Sequence, residues 1–230
     1  MLVTFMKTIQ GEGMLQGMPS LIVRTKGCNL NCIWCDNSLE DDSYEELSVM
    51  QIVEKVEEFA ATYVIITGGE PTLNKEMSAL TSALKSIGKH VTIETNGTVI
   101  CNLDADLVSI SPKLKNSNPE NVNSELYTNY EKKRINLQAL DYYINNFDVQ
   151  FKFVVRDKVD FEEAIKLLNQ IGYTKYVNVF MMPMAKTAAE LEKIQLEIVE
   201  LCVEFGLRYA NRLQLQLWDD DRNENEYWNE

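Results

Sequence analysis

Three cysteines, Cys28, Cys32 and Cys35, fall within eight residues in the stretch Gly27-Cys28-Asn29-Leu30-Asn31-Cys32-Ile33-Trp34-Cys35-Asp36. Thiolates are soft ligands that suit zinc or an iron–sulfur cluster. A structural zinc normally closes its tetrahedron with four protein ligands. No fourth cysteine lies nearby, and the one histidine of the chain, His90, begins a distant apolar run. Three thiolates on a four-iron cluster leave one iron open to a small ligand, so the spacing favours a [4Fe-4S] cluster over zinc or three unligated thiols.

Other segments have the right residue types for chemistry without being decisive alone. Thr67-Gly68-Gly69-Glu70-Pro71 follows an apolar, β-branched run. Its paired glycines let backbone carbonyls approach a ligand closely, Glu70 can balance an ammonium, and Pro71 fixes the turn. Thr8-Ile9-Gln10-Gly11-Glu12-Gly13, with Gly17-Met18-Pro19-Ser20 and Arg24 after it, reads by itself as a polar turn, and Ser111-Pro112-Lys113 as a strand-ending turn.

The elements that must carry these residues are visible in the hydrophobic pattern. Apolar positions recur at helical spacing over residues 49–60, with Ser48 as N-cap, over 161–171 and over 191–205; a weaker helix spans 75–87. Short apolar or β-branched runs at residues 20–25, 63–67, 90–94, 107–111, 149–155, 177–181 and 212–217 read as buried strands. Residues 115–134 are polar and weakly patterned, a loop or lid. Strands alternating with helices predict an α/β fold of βα units with a mainly parallel sheet and right-handed crossovers. In such folds ligands gather where strands end and βα loops begin, so the motifs should converge.

At 230 residues and 45% hydrophobic content the chain can bury one sizeable core, and no composition shift marks an internal boundary. We therefore expect one domain over residues 1–218 and a solvated acidic tail over 219–230. A formal charge of −13 excludes a general nucleic-acid or anionic-membrane binder, which gains affinity from basic patches. No apolar run reaches the roughly 20 residues of a membrane span, and the N-terminus lacks a signal-peptide layout, so a cytoplasmic location is expected. Close cysteines there bind metal more often than they pair. Cys101 and Cys202 stand apart, the latter on the apolar stripe of a helix as a small core residue.

The CxxxCxxC spacing together with the GGEP turn resembles the radical S-adenosylmethionine (SAM) superfamily. The Gln10–Gly13 segment, Arg24, Glu94-Thr95-Asn96-Gly97-Thr98 and Ser111-Pro112-Lys113 resemble, more narrowly, the 7-carboxy-7-deazaguanine synthase family. The similarity extends with gaps from about residue 5 to residue 217. It implies a partial (open) TIM-like βα barrel, with Cys28, Cys32 and Cys35 holding a [4Fe-4S] cluster whose fourth iron binds SAM. It also implies a carbon–nitrogen lyase of queuosine and 7-deazapurine biosynthesis, converting 6-carboxy-5,6,7,8-tetrahydropterin to 7-carboxy-7-deazaguanine with loss of ammonia.

Carried over residue by residue, the resemblance places Ile9, Gln10, Gly11, Glu12, Arg24, Thr67 and Gln214 at the pterin. It places Trp34, Gly69, Glu70, Asn96, Ser111, Lys113 and Met182 at SAM. No side chain is implied as acid or base, because the reactive species is a 5′-deoxyadenosyl radical. The chemistry fits: a carboxylate accepts from aminopyrimidine N–H groups, an amide donates and accepts, and a guanidinium clamps a carboxylate. Family members place Mg²⁺ on a hydroxyl two residues after the last cluster cysteine, where this chain has Asn37, an amide oxygen of different reach. The C-terminus departs too, with Arg212-Leu213-Gln214 where an RLH-like strand is usual. Implied partners are an electron donor such as flavodoxin or ferredoxin and, by analogy, a second copy in a homodimer.

Two other readings remain open from the residues. A glycyl-radical-enzyme activating enzyme shares CxxxCxxC and GGEP but acts on a protein, and a non-catalytic iron–sulfur or zinc protein needs only the cysteines. The Gln10–Gly13 segment and Arg24 favour a small-molecule substrate.

Overall fold

A computed structural model describes residues 1–35, 43–119 and 124–219. Asn37 and the tail from Asp220 onward, about which the sequence raises expectations, lie outside the described residues.

Among the described residues nine strands form one sheet in the order β3-β1-β2-β4-β5-β6-β7-β8-β9. They are β1 (Leu2–Ile9), β2 (Pro19–Thr25), β3 (Glu45–Glu46), β4 (Tyr63–Gly68), β5 (His90–Thr95), β6 (Leu107–Ile110), β7 (Val149–Val155), β8 (Val179–Pro183) and β9 (Arg208–Tyr209). From β2 through β9 every pairing is parallel, whereas β1 runs antiparallel to both β2 and β3. The helices are α1 (Val49–Glu58), α2 (Met77–Ser86), α3 (Ser124–Lys133), α4 (Leu137–Asn146), α5 (Lys158–Gln170), α6 (Ala188–Phe205) and α7 (Leu213–Trp218).

The sheet is open, with β3 and β9 as its edges, yet it curls. Five strand spacings of about 4.8 Å would put β1 and β7 roughly 24 Å apart if the sheet were flat. Instead Lys152 of β7 donates to Glu12, three residues past β1, at 3.0 Å. That curvature is the partial barrel.

The core follows from strand alternation. On β7, Phe151, Phe153 and Val155 pack under the helices with Ile66, Ile93, Val108, Phe161 and Leu168. Gln150, Lys152 and Val154 alternate to the concave face. α1 forms as its spacing predicts: Ile52, Val53 and Val56 are buried, and Ser48 makes a capping box with Gln51. Cys202 is in the core as expected, 4% exposed.

Several elements differ from the sequence pattern. Residues 212–217 alternate apolar and polar like a strand, but Leu213–Trp218 is a short helix. The edge beside β8 is already taken by Arg208–Tyr209, and Leu213 instead donates its N–H to the Gly11 carbonyl at 3.1 Å. Within residues 115–134, expected as a loop or lid, lie a 3-10 turn (Lys115–Ser117) and α3. α4 and the N-terminal strand β1 are further elements that the pattern did not single out. β8 begins two residues later than expected because Tyr176–Asn178 forms a 3-10 turn. Asp219, assigned to the tail, accepts from the Ala188 N–H at 2.6 Å and ties the chain to the start of α6.

Candidate active site

The thiol loop leaves β2 at Thr25, and the Gly68-Gly69 turn leaves β4 beside it. Gly68 has φ +126°, and a Cβ there would stand 2.1 Å from the Thr25 carbonyl oxygen. A Cβ on Gly69 would stand 2.0 Å from the Gly27 carbonyl oxygen. Both glycines are required by close backbone approach. The turn is pinned by Gly69 N–H to Thr25 O at 3.1 Å and Glu70 N–H to Gly27 O at 2.8 Å. The end of β5 joins them: Asn96 Nδ2 donates to Asn29 Oδ1 at 3.0 Å, and Asn29 Nδ2 to Thr98 Oγ1 at 2.8 Å.

Cys28 and Cys35 are exposed and Cys32 is half-buried. Among the described residues no three His, Cys, Asp or Glu side chains converge as they would around one ion. A four-iron cluster asks only that each thiolate reach a different iron. An accessible loop bearing three thiols, docked beside a glycine turn that exposes backbone at close range, fits a [4Fe-4S] cluster with SAM on the remaining iron.

Glu70 is placed otherwise than expected. It is 2% exposed, and its carboxylate accepts from Thr72 N–H (3.1 Å), Thr72 Oγ1 (2.5 Å), Thr95 Oγ1 (2.7 Å) and Asn96 N–H (2.6 Å). Burial pushes its carboxyl above the ordinary carboxylate range despite those donors. The side chain is a brace between the ends of β4 and β5. Asn96 is likewise engaged by Asn29 and by the Thr98 N–H and hydroxyl.

Trp34, Lys113, Ser111 and Met182 do come together. Lys113 Nζ lies 5.0 Å from the centre of the Trp34 ring and donates to Ser111 Oγ at 2.9 Å. Trp34 packs against Val154, Phe180, Met182 and Ala210 on the concave face, and its indole N–H reaches Asn116 Oδ1 at 3.2 Å.

The expected pterin residues lie on the same face. Arg24 pairs laterally with Thr67, Glu94 with Ser109, and Ser109 with Gln150. Thr67 donates to Glu94 Oε2 at 3.2 Å. Laterally paired residues of a parallel sheet project on one side, so Arg24, Thr67, Glu94, Ser109 and Gln150 form a polar row across five strands. Ile9 ends β1; Gln10 follows, donating to Glu94 at 3.3 Å and accepting the Glu12 N–H at 3.1 Å. A Cβ on Gly11 would meet Gln214 Oε1 at 2.0 Å, so a larger residue there would displace the Gln214 amide from its present place.

At the centre is Lys152, 3% exposed, which donates to Glu94 at 2.7 Å and to Glu12 at 3.0 Å. Glu12 also accepts from Gln214 Nε2 at 2.8 Å and Arg212 Nε at 3.4 Å. Burial would raise the Glu12 carboxyl, but Lys152, Arg212 and the Gln214 hydrogen bond outweigh it and hold it below the ordinary range. The two carboxylates correspondingly raise Lys152 against the opposite pull of its own burial. Gln214 Oε1 is buried with no hydrogen-bond partner among the described residues, an acceptor left for a ligand. Lys152, Glu94 and Arg212 were not singled out from sequence as site residues. A signal existed for the first: a lysine flanked by Phe151 and Phe153 in a run that reads as a buried strand needs counter-charges.

A glycine turn and a three-thiol loop at adjoining strand ends of an open βα barrel are the arrangement of a radical SAM enzyme, and residues 22–198 match the radical SAM superfamily. The chain is 37% identical over 226 residues to the 7-carboxy-7-deazaguanine synthase of Halobacterium salinarum, covering 93% of this chain and 88% of that one. It is 30% identical over 217 residues to that of Rhodopirellula baltica, at 93% and 84% coverage. It belongs to the 7-carboxy-7-deazaguanine synthase family of radical SAM enzymes. The fold agrees with the crystal structure of QueE from Escherichia coli, with a TM-score of 0.70 and 24% identity over 92% of this chain and 93% of that one. No helix among the described residues is long and apolar enough to cross a membrane.

Proposed function

We propose that this chain converts 6-carboxy-5,6,7,8-tetrahydropterin to 7-carboxy-7-deazaguanine with loss of ammonia, a carbon–nitrogen lyase reaction supplying queuosine or another 7-deazapurine. The observation that carries this reading is the lateral row Arg24–Thr67–Glu94, which opens beside the thiol loop in a chain 37% identical to a named synthase. It favours a small polar heterocycle over the protein substrate of a glycyl-radical-enzyme activator.

When bound, the reduced cluster and SAM supply the hydrogen-atom abstraction that starts the ring rearrangement. Cys28, Cys32 and Cys35 hold the cluster. The Gly69 backbone, Ser111 and Lys113 hold the amino acid and ribose parts of SAM, and Trp34 and Met182 flank its adenine. Glu70 and Asn96 act on SAM indirectly, by fixing the turn and the β5 end. Arg24 clamps the pterin carboxylate through its planar fork. Gln10, Glu12 and Gln214, with the Ile9, Gly11 and Thr67 backbone and hydroxyl groups, read the aminopyrimidine edge. Lys152 keeps Glu12 ionised so that it accepts the ring N–H groups, and orients Glu94 beside it through a charge-assisted hydrogen bond. Mg²⁺ is assigned to Asn37 and the substrate carboxylate.

The reading includes a low-potential electron donor such as flavodoxin or ferredoxin, a homodimer, a cytoplasmic location, and one catalytic domain over residues 1–218 followed by an acidic tail. Anaerobic incubation with SAM, reductant, Mg²⁺ and carboxytetrahydropterin tests it. Formation of 7-carboxy-7-deazaguanine and ammonia is expected; SAM cleavage with no change in the pterin would overturn the substrate assignment.

A further inference from the structure

The segment expected to be a loop or lid contacts the thiol loop directly. Tyr130, on α3 and 6% exposed, has its hydroxyl 3.0 Å from Cys32 Sγ and 2.8 Å from Ser117 Oγ. The surrounding backbone is tied down at both ends. Ile33 N–H donates to Ser117 O at 3.0 Å, and the Trp34 indole donates to Asn116. On the α3 side, Asn118 donates to Glu131 at 2.7 Å, while Arg134 bonds Glu131, Glu163 and the Lys113 carbonyl. Neither the sulfur nor the hydroxyl is placed by a free surface side chain.

We propose that the Tyr130 hydroxyl hydrogen-bonds the Cys32 sulfur in the loaded protein and raises the potential at which the cluster takes up its electron. The inference rests on the reading of Cys28, Cys32 and Cys35 as cluster ligands. Ser117 gives its own proton to the Leu114 carbonyl, so toward Tyr130 it is an acceptor. The single phenolic proton therefore has two acceptors, a neutral serine oxygen and the Cys32 sulfur. An iron-bound thiolate carries no proton and holds more negative charge than a hydroxyl, so the charge-assisted bond to sulfur is the stronger one. Burial of Tyr130 keeps water from competing for it.

The effect on potential follows from charge. One-electron reduction of the cluster adds one negative charge, part of which resides on the thiolate sulfurs. A donor aimed at one of those sulfurs stabilises the reduced state more than the oxidised one, and hydrogen bonds to sulfur are among the determinants of cluster potential. Tyr130 would thus be a positioning and tuning residue that touches a ligand of the cluster rather than the reacting atoms.

The test is an anaerobic redox titration of the reconstituted protein, followed through the EPR signal of the reduced cluster, with iron and sulfide counted for each variant. Tyr130→Phe should keep wild-type iron and sulfide but lower the ratio of reduced to oxidised cluster about threefold to tenfold at a fixed potential, tenfold being about 59 mV for one electron. An unmoved potential with a full cluster would overturn the proposal. If Tyr130→Phe fails to load, Ser117→Ala decides. Removing the competing acceptor should raise the ratio of reduced to oxidised cluster, and an unchanged or lowered ratio overturns the proposal. Wild-type protein that takes up no iron and sulfide would remove the cluster reading itself, a result distinct from a full cluster with unmoved potential.

Discussion

The backbone N–H of Glu70 donates to the carbonyl of Gly27 at 2.8 Å, tying the glycine turn after β4 to the residue immediately before the first cysteine. The thiol loop and the glycine turn are therefore one mechanical unit. Gly69→Ala should separate them, because its methyl would lie 2.0 Å from that same carbonyl oxygen. Overpacking against backbone costs about 1–3 kcal/mol. We expect a lower melting temperature and weaker SAM binding, read by calorimetry; wild-type values for both would show that the loops do not need this contact.

Glu70→Gln tests the brace. Both carboxylate oxygens accept from N–H donors, so an amide must turn its NH2 toward at least one of them. A buried donor facing a donor costs about 1–3 kcal/mol. SAM affinity should fall together with stability rather than alone. Because burial raises the Glu70 carboxyl above its ordinary 4.5, its contribution to stability is complete below that value and declines as pH rises through the raised one. Gln does not titrate, so this pH-dependent component should be missing from the variant in urea melts.

Lys152→Met leaves the half-buried carboxylates of Glu12 and Glu94 without the ammonium they share. Removing one member of a buried charge network costs about 3–5 kcal/mol. Pterin binding should be lost before SAM binding, and adding Glu12→Gln should recover part of the stability. The pH signature runs opposite to that of Glu70. Lys152, Arg212 and Gln214 hold Glu12 below its ordinary 4.5, so its stabilisation is present above that pH and is lost as pH falls through the lowered value. Acid unfolding of Lys152→Met should show less of this component, since only Arg212 and Gln214 then hold Glu12; an acid limb matching wild type would count against the network.

Arg24→Lys keeps the charge but loses the planar fork on the polar row beside Thr67. Pterin affinity should fall about tenfold or more, as expected for a lost charge-assisted bond of about 1.5–3 kcal/mol. SAM cleavage in the absence of pterin should be unchanged. Equal losses in both assays would place Arg24 at the cluster end instead.

Asn37 lies outside the described residues, so titration of activity with Mg²⁺ must locate the ion. Asn37→Ala should raise the Mg²⁺ concentration for half-maximal turnover with the cluster spectrum intact, and Asn37→Thr should restore or strengthen the response. Superimposable curves for all three proteins would move the ion to Ser38, or to substrate and water alone.

The sequence by itself determined what local chemistry fixes. Cys28, Cys32 and Cys35 announce a cluster because ligand type and spacing are properties of a short loop. Gly68 and Gly69 announce a close approach because only glycine tolerates it. The βα alternation is legible because burial on strands and on helix stripes follows short periods. Even so, Leu213-Gln214-Leu215-Gln216-Leu217 reads as a strand and folds as a helix, since alternation cannot reveal that β9 already occupies the neighbouring edge.

Only the tertiary structure decided which charges meet. Glu12, Glu94, Lys152 and Arg212 are separated by up to two hundred residues, and their contacts exist because the sheet curls until β7 faces the loop after β1. Glu70 shows the same limit in reverse: its type suited an ammonium, but the ends of β4 and β5 surround it with donors and turn it inward. Tyr130 reaches Cys32 across ninety-eight positions through a segment with little periodicity of its own. Strand register and curvature set such pairings, and neither is encoded in any window short enough to read along the chain.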